Sequence, residues 1–172
     1  DEKTYNIDPK KIEAAITPKT KAIIPVSLYG QPCDMDEIQA IVDKTLKTKN
    51  QKLYTIIDGA QSFGSTYKGI SDSNLGDISC TSFFPAKPLG CYGDGGALFT
   101  NDEKLADKIK SLRLHGQSIR YHHQYIGMGG RLDTIQAAVL NVKLKYYGKD
   151  LKLRQDVAEK YTKALNEKNI ET

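Results

Sequence analysis

No apolar run in this chain approaches the roughly 20 residues that a membrane-crossing helix needs, and the opening DEKTYNIDP lacks the make-up of a secretory signal. Cysteine is scarce. The three thiols, Cys33, Cys80 and Cys91, are odd in number and have no metal-ligand spacing. That argues against a disulfide framework or a zinc site and fits reduced, cytoplasmic thiols. A dense basic stripe is also missing: 25 Lys and Arg are interspersed with 21 Asp and Glu, leaving a net charge of +4. Neither a nucleic-acid partner nor a membrane is expected from that pattern, although the mild positive bias suits a phosphate-bearing ligand. Repeats and low-complexity segments are absent. There is no initiator methionine, the opening reads as mid-protein sequence and the end reads as helix, so the 172 residues are expected to be part of a longer protein. At 39% hydrophobic and 27% charged, they suffice for one domain with a real core.

Apolar spacing gives the fold class. Asp8-Pro9 predicts a helix start, with Ile12, Ala15 and Ile16 on one side. The continuous run KAIIPVSLY at 21–29 reads as a buried strand. Asp34 or Asp36 caps a helix carrying Ile38, Ile41, Val42 and Leu46, and LYTIID at 53–58 is a second strand. Residues 64–76 read as a polar loop, 77–84 and 96–100 as further strands, and 101–113 as an amphipathic helix with Leu105, Ile109 and Leu112 inward. Residues 114–130 read as a loop holding all three histidines. Asp133 caps a helix whose apolar side is Ile135, Ala138, Val139, Val142 and Leu144, and 150–168 reads as a separate last helix. This alternation predicts an α/β fold with a mostly parallel sheet flanked by helices.

Within that frame the stretch TSFFPAKPLGCYGDGG at 81–96 stands out. Lys87 sits between Pro85 and Pro88, which restrict the backbone, beside Phe83 and Phe84. A partly desolvated lysine is a nucleophilic amine suited to Schiff-base chemistry, whereas a surface lysine in a Pro/Gly turn would do nothing special. Asp58 ends an apolar strand, where ligands of such sheets bind, or else it is an ordinary turn acid. Ser82, five residues before Lys87, could reach a phosphate or serve as a turn hydroxyl. Arg120, Tyr121, His122 and His123 suit a substrate-facing loop, and their spacing is poor for zinc. A strand-end acid, a hydroxyl and an isolated lysine on one rim form the set that pyridoxal phosphate asks for: imine partner, holder of the pyridine proton, and phosphate ligand.

The residues then point to a family. IIDGAQSFG at 56–64, SFFPAKPLGCYGDGGA at 82–97 and GRLDTIQAAVL at 130–140 resemble the DegT/DnrJ/EryC1/StrS sugar aminotransferases, with support from PVSLYGQPCDMDEI and FTNDEKLADKIKSLRLHG. The resemblance covers nearly the whole chain. It implies the type I aminotransferase fold, with residues 1–172 as the central part of the large, pyridoxal-phosphate-binding domain and both an N-terminal segment and a C-terminal small domain lying outside them. Position by position, Lys87 matches the imine lysine and proton shuttle, Asp58 the acid at the pyridine nitrogen, Gln61 the contact of the ring hydroxyl, and Ser82 a phosphate ligand. The family's GxNxR segment reaches the neighbouring subunit's site. Here it reads GMGGR, keeping Arg131 near the substrate but placing Gly129 where the Asn would be. Tyr121 and His122 are expected beside Arg131 as substrate contacts, in a homodimer with shared sites.

The activity implied is transfer of an amino group, with glutamate as donor, to a keto group of a nucleotide-linked sugar. Within the family, PVSLYGQ, the lysine motif and RYHH most resemble the enzymes that aminate a 3-keto UDP-sugar uronate for surface polysaccharide. Two alternatives are a dehydratase of the same fold, in which histidine typically replaces the imine lysine, and a catalytically silent cofactor-binding domain.

Overall fold

The computed structural model describes residues 1–170. Asp8 is extended and its carboxylate accepts the Lys10 N–H at 3.0 Å, while Pro9 supplies the preset φ of the first turn, so α1 runs Pro9–Ala15. Strand β1 is only Ala22–Ile23. The expected nine-residue strand is interrupted because Pro25 has no N–H to give the ladder. Pairing resumes as Asp58 N–H donates to Pro25 O and Ser27 N–H to Asp58 O, and a tight 3-10 turn, Leu28–Gly30, follows. The run is also not buried on both faces: Ile23 and Pro25 are buried but Ile24 and Val26 are exposed.

Helix α2, Met35–Lys49, turns Met35, Ile38 and Val42 inward and ends at Asn50 in the left-handed conformation. Strand β2, Tyr54–Asp58, lies parallel to β1 and to β5, Ile78–Ser82, and β6, Gly96–Phe99, closes the sheet antiparallel to β5. The order β1-β2-β5-β6 is the mixed, mostly parallel sheet expected. The loop expected at 64–76 contains a small hairpin, β3 Thr66–Tyr67 and β4 Ile70–Ser71. Helix α3, Glu103–Arg113, is capped by Asp102, whose carboxylate accepts the N–H groups of Lys104 and Leu105. The loop expected at 114–130 holds a second hairpin, β7 Gln117–Ile119 and β8 His122–His123.

The two helices expected after Asp133 are one, α4, Thr134–Asn166. Gly148 costs an α-helix roughly 1 kcal/mol against alanine. Its neighbours Tyr147 and Leu151 pack into the core and carry the helix through. The apolar stripe expected there is largely exposed: Ile135, Val142, Leu144, Leu153, Val157 and Tyr161 face outward, and only Leu140 and Tyr147 are buried.

Two cores result. Ile12 of α1, Met35, Ile38 and Val42 of α2, and Ile23, Leu53 and Ile57 of the sheet fill the first. Each fully buried side chain such as Ile38 or Ile57 contributes about 1.5–3 kcal/mol by leaving water. Phe83, Leu89, Cys91, Leu140 and Tyr147 form the second, beneath the lysine loop.

Candidate active site

Side chains alternate across a strand, so register decides which residues share a face. Asp58 pairs with Cys80, Cys80 with Leu98, and Ser82 with Gly96. Asp58, Cys80 and Ser82 therefore project from one face. Thr55, Ile57, Ser79 and Thr81 project from the other and are buried. The Asp58 face carries exposed Val26 and Leu98 and the half-buried Cys80 and Ser82. It is the open face of the sheet. Ser82 lies two residues beyond the Asp58–Cys80 pair, about 7 Å further along the strand direction.

Asp58 ends β2 half-buried, and one carboxylate oxygen accepts the Ala60 N–H at 3.1 Å. That is the turn role open to any strand-end aspartate, and it leaves the second oxygen for a ligand. The Cys80 thiol beside it donates to Ile57 O at 3.2 Å. Burial, and then the Asp58 charge, push that thiol's pKa up, so it stays a neutral neighbour. Gln61 follows in the same turn. Its Oε1 accepts the Tyr29 N–H at 2.7 Å, which fixes the amide and leaves its NH2 as the group able to meet an acceptor.

Lys87 sits on a bend held at its base. Phe83 N–H donates to Gly95 O at 2.7 Å, and the Cys91 N–H and thiol both donate to Phe83 O. Gly90 is required there: a Cβ would lie 2.5 Å from Pro85 O. The lysine is half-buried, and the ion pairs of the described residues (Lys11–Asp8, Lys44–Glu13, Lys68–Asp36 and Lys110–Asp107) all leave it aside. The apolar nest expected around it forms only in part. Phe83 turns into the second core, but Phe84 and Pro85 are exposed. Ser82 Oγ accepts the Phe84 N–H at 3.2 Å and retains its own proton to donate.

Helix α4 braces this loop from behind, which local sequence reading missed. Gln136 Oε1 accepts the Tyr92 N–H at 2.7 Å, Lys143 Nζ donates to Gly90 O at 2.6 Å, and the Tyr147 hydroxyl donates to Phe63 O. Phe63 meets Phe83 edge-on with ring centroids 6.0 Å apart. One aromatic cluster thus joins the Asp58 turn, the lysine loop and α4. The signal lay in the sequence only as the co-occurrence of GCYGDGG with GRLDTIQAAVL.

Tyr121, His122 and Arg131 are all exposed. The first two lie on the β7–β8 hairpin, which packs on α3, and Tyr121 has φ 68° with the Arg120 guanidinium over its ring. Gly129 bridges to Leu114, and a side chain there would meet the His115 ring at 3.0 Å. A cleft of about 1150 Å³ lies between β6, α3 and the segment around Met128 and Leu132. It holds none of the expected site residues. Among the described residues no group of His, Cys, Asp and Glu is placed to hold a metal.

A mixed α/β sheet that turns a strand-end acid, a hydroxyl and a lysine-bearing loop toward one rim has the layout of the aminotransferase fold. The chain belongs to the DegT/DnrJ/EryC1/StrS aminotransferase family, which it matches over residues 1–172. It is 54% identical over 172 residues to the UDP-2-acetamido-2-deoxy-3-oxo-D-glucuronate aminotransferase of Pseudomonas aeruginosa, covering 100% of this chain and 46% of that protein. A DegT DnrJ EryC1 StrS aminotransferase from Brucella abortus superposes with a TM-score of 0.90 at 41% identity, over 97% of this chain and 45% of that one. NtdA from Bacillus subtilis, solved with bound cofactor PMP, superposes with a TM-score of 0.86 at 34% identity, over 97% of this chain and 37% of that one. The chain spans about half the length of the curated relatives it matches.

Proposed function

We propose that the full protein is a pyridoxal-phosphate-dependent transaminase that aminates a nucleotide-linked keto-sugar. The observation that carries this is Lys87, without an ion-pair partner among the described residues, on a braced loop at the same rim as Asp58 and Ser82, in a chain 54% identical throughout to a sugar aminotransferase. The donor set fits the cofactor: an acid with a free oxygen, an amide with a free NH2, a hydroxyl with a free proton and an unpaired amine. Bound, pyridoxal phosphate supplies an electron sink and an aldehyde that carries the amino group between substrates. Asp58 would hold a proton at the pyridine nitrogen, the Gln61 NH2 would donate to the ring oxygen, and Ser82 would donate to the phosphate. Lys87 would hold the cofactor aldehyde and would serve as the base that moves the proton at the substrate carbon.

The substrate reading is a 3-keto UDP-sugar uronate with glutamate as donor, made on the way to a surface polysaccharide. The Pseudomonas relative supports the keto-sugar, and the donor and the polysaccharide destination rest on the family resemblance. Supplied with cofactor, glutamate and that keto-sugar, the full-length protein should yield the amino sugar and 2-oxoglutarate by mass spectrometry. Turnover of a 4-keto sugar instead would move the site of amination. Turnover of no keto-sugar would sink the proposal.

The chain is read as the central part of the large domain. The protein is read as cytoplasmic: all three cysteines are free thiols, and among the described residues no helix is long and apolar enough to cross a membrane. It is read as a homodimer in which Tyr121, His122 and Arg131 reach the partner's site, because all three are exposed beside Ile119, Tyr125, Ile126 and Met128, an apolar surface that a second subunit would bury. Mixing inactive Arg131→Ala and Lys87→Ala proteins should then restore about a quarter of wild-type activity, since random pairing makes half the dimers mixed with one intact site each. Activity no higher than that of the separate variants would place Arg131 in its own subunit's site.

A further inference from the structure

Among the described residues Asp72 is the one buried carboxylate, and the mechanism above leaves it without a task. It is 2% exposed, and no ion pair among the described residues reaches it. A buried charge without a cation is costly unless hydrogen bonds replace its water. Here hydroxyls do so. Ser27 Oγ donates to one oxygen at 2.8 Å and Ser62 Oγ donates to the other. Its own N–H goes to Ser65 O, and its carbonyl accepts from Ser79 Oγ.

The two serines locate its role. Ser62 directly follows Gln61. Ser27 opens the turn that gives the Tyr29 N–H to Gln61 Oε1, and its own N–H donates to Asp58 O. Gly59 lies over the carboxylate, since a Cβ there would come within 2.8 Å of Asp72 Oδ2. Asp72 therefore ties together, from beneath, the two turns that orient Asp58 and Gln61.

We infer that Asp72 is a positioning residue: through Ser27 and Ser62 it locks residues 27–30 and 58–62 into one platform, fixing how Asp58 and Gln61 meet the cofactor ring. This rests on the aminotransferase reading. Without the lock, the Tyr29–Gln61 contact loosens and the amide can turn its oxygen toward the ring. A ring oxygen that loses its donor becomes more basic, so the protonated form of the bound cofactor persists to higher pH. The titratable groups packed around the network are Asp58 at the end of β2, Cys80 in the middle of β5, and Cys33 and Asp34 before α2. Burial, with added charge from Asp72 and Asp34, holds the Cys33 thiol at about 11, and Cys80 is also raised, so neither titrates in the neutral range.

The test uses full-length Ser62→Ala, which cuts only the tie to the cofactor-side turn, and Asp72→Asn, which keeps the volume but removes the charge. Both should weaken pyridoxal phosphate binding by about tenfold, the scale of support-residue losses at metal sites. Both should also raise the pH midpoint of the cofactor's visible absorption. A lower melting temperature with wild-type affinity and midpoint would reduce Asp72 to a core hydrogen bond and overturn the inference. A wild-type protein that develops no cofactor absorption would overturn the aminotransferase reading and this inference with it.

Discussion

Lys87→Ala in the full-length protein is expected to lower amino transfer by about six orders of magnitude, the scale on which losing a covalent nucleophile acts. That corresponds to about 8 kcal/mol of transition-state stabilisation. The fold should barely register the change, because the lysine is half-buried and has no ion-pair partner to orphan among the described residues. Its stability cost should stay within about 0.5 kcal/mol, as for substitutions away from packed or paired positions. Borohydride reduction in pyridoxal phosphate followed by peptide mass mapping reads the chemistry directly. The wild type should carry a pyridoxyl mass on the peptide containing Lys87, and the variant should carry none. A label on another lysine would move the imine elsewhere and dismantle the site as built above.

Asp58→Ala should cost about three orders of magnitude in rate, in line with the upper range for a positioned acid or base. The imine should still form, since Lys87 lies on a different loop, so the borohydride label should survive. Alanine also strips the Ala60 N–H of its acceptor, a loss of about 1 kcal/mol that belongs to the turn rather than the chemistry. Asp58→Asn separates the two effects. It keeps an oxygen for Ala60 but cannot hold a proton on the pyridine nitrogen as an anion does. Asparagine should therefore restore stability and leave the rate low. An Asp58→Asn protein with most of its activity would confine Asp58 to its turn role.

The proposed site residues stand out in the sequence because each sits in a short window whose local chemistry is unusual. Lys87 lies between two prolines and ahead of a glycine loop, and Asp58 closes an apolar strand. The helix start at Asp8 was legible for the same reason, since a cap acts on N–H groups two or three residues away. Reading failed where partners are distant. The unbroken apolar run at 21–29 looked buried on both faces, but burial depends on what packs against each face, and here one is open. Residues 133–168 read as two helices from their local apolar spacing, although Gly148 lies within a single one. Contacts of Tyr147 and Leu151 with Phe63 and Gly64 hold the single helix across it.

The sequence alone determined the fold class and the family, and it supplied the groups proposed for the chemistry. All three depend on residue type and on spacing within a few turns or one strand. Only the tertiary structure decided that Asp58 and Ser82 share one face, that α4 grips the lysine loop through Gln136 and Lys143, and that Asp72 lies under Gly59. Strand register and the close approach of buried groups arise from pairing between segments tens of residues apart. No local window contains both partners of such a contact.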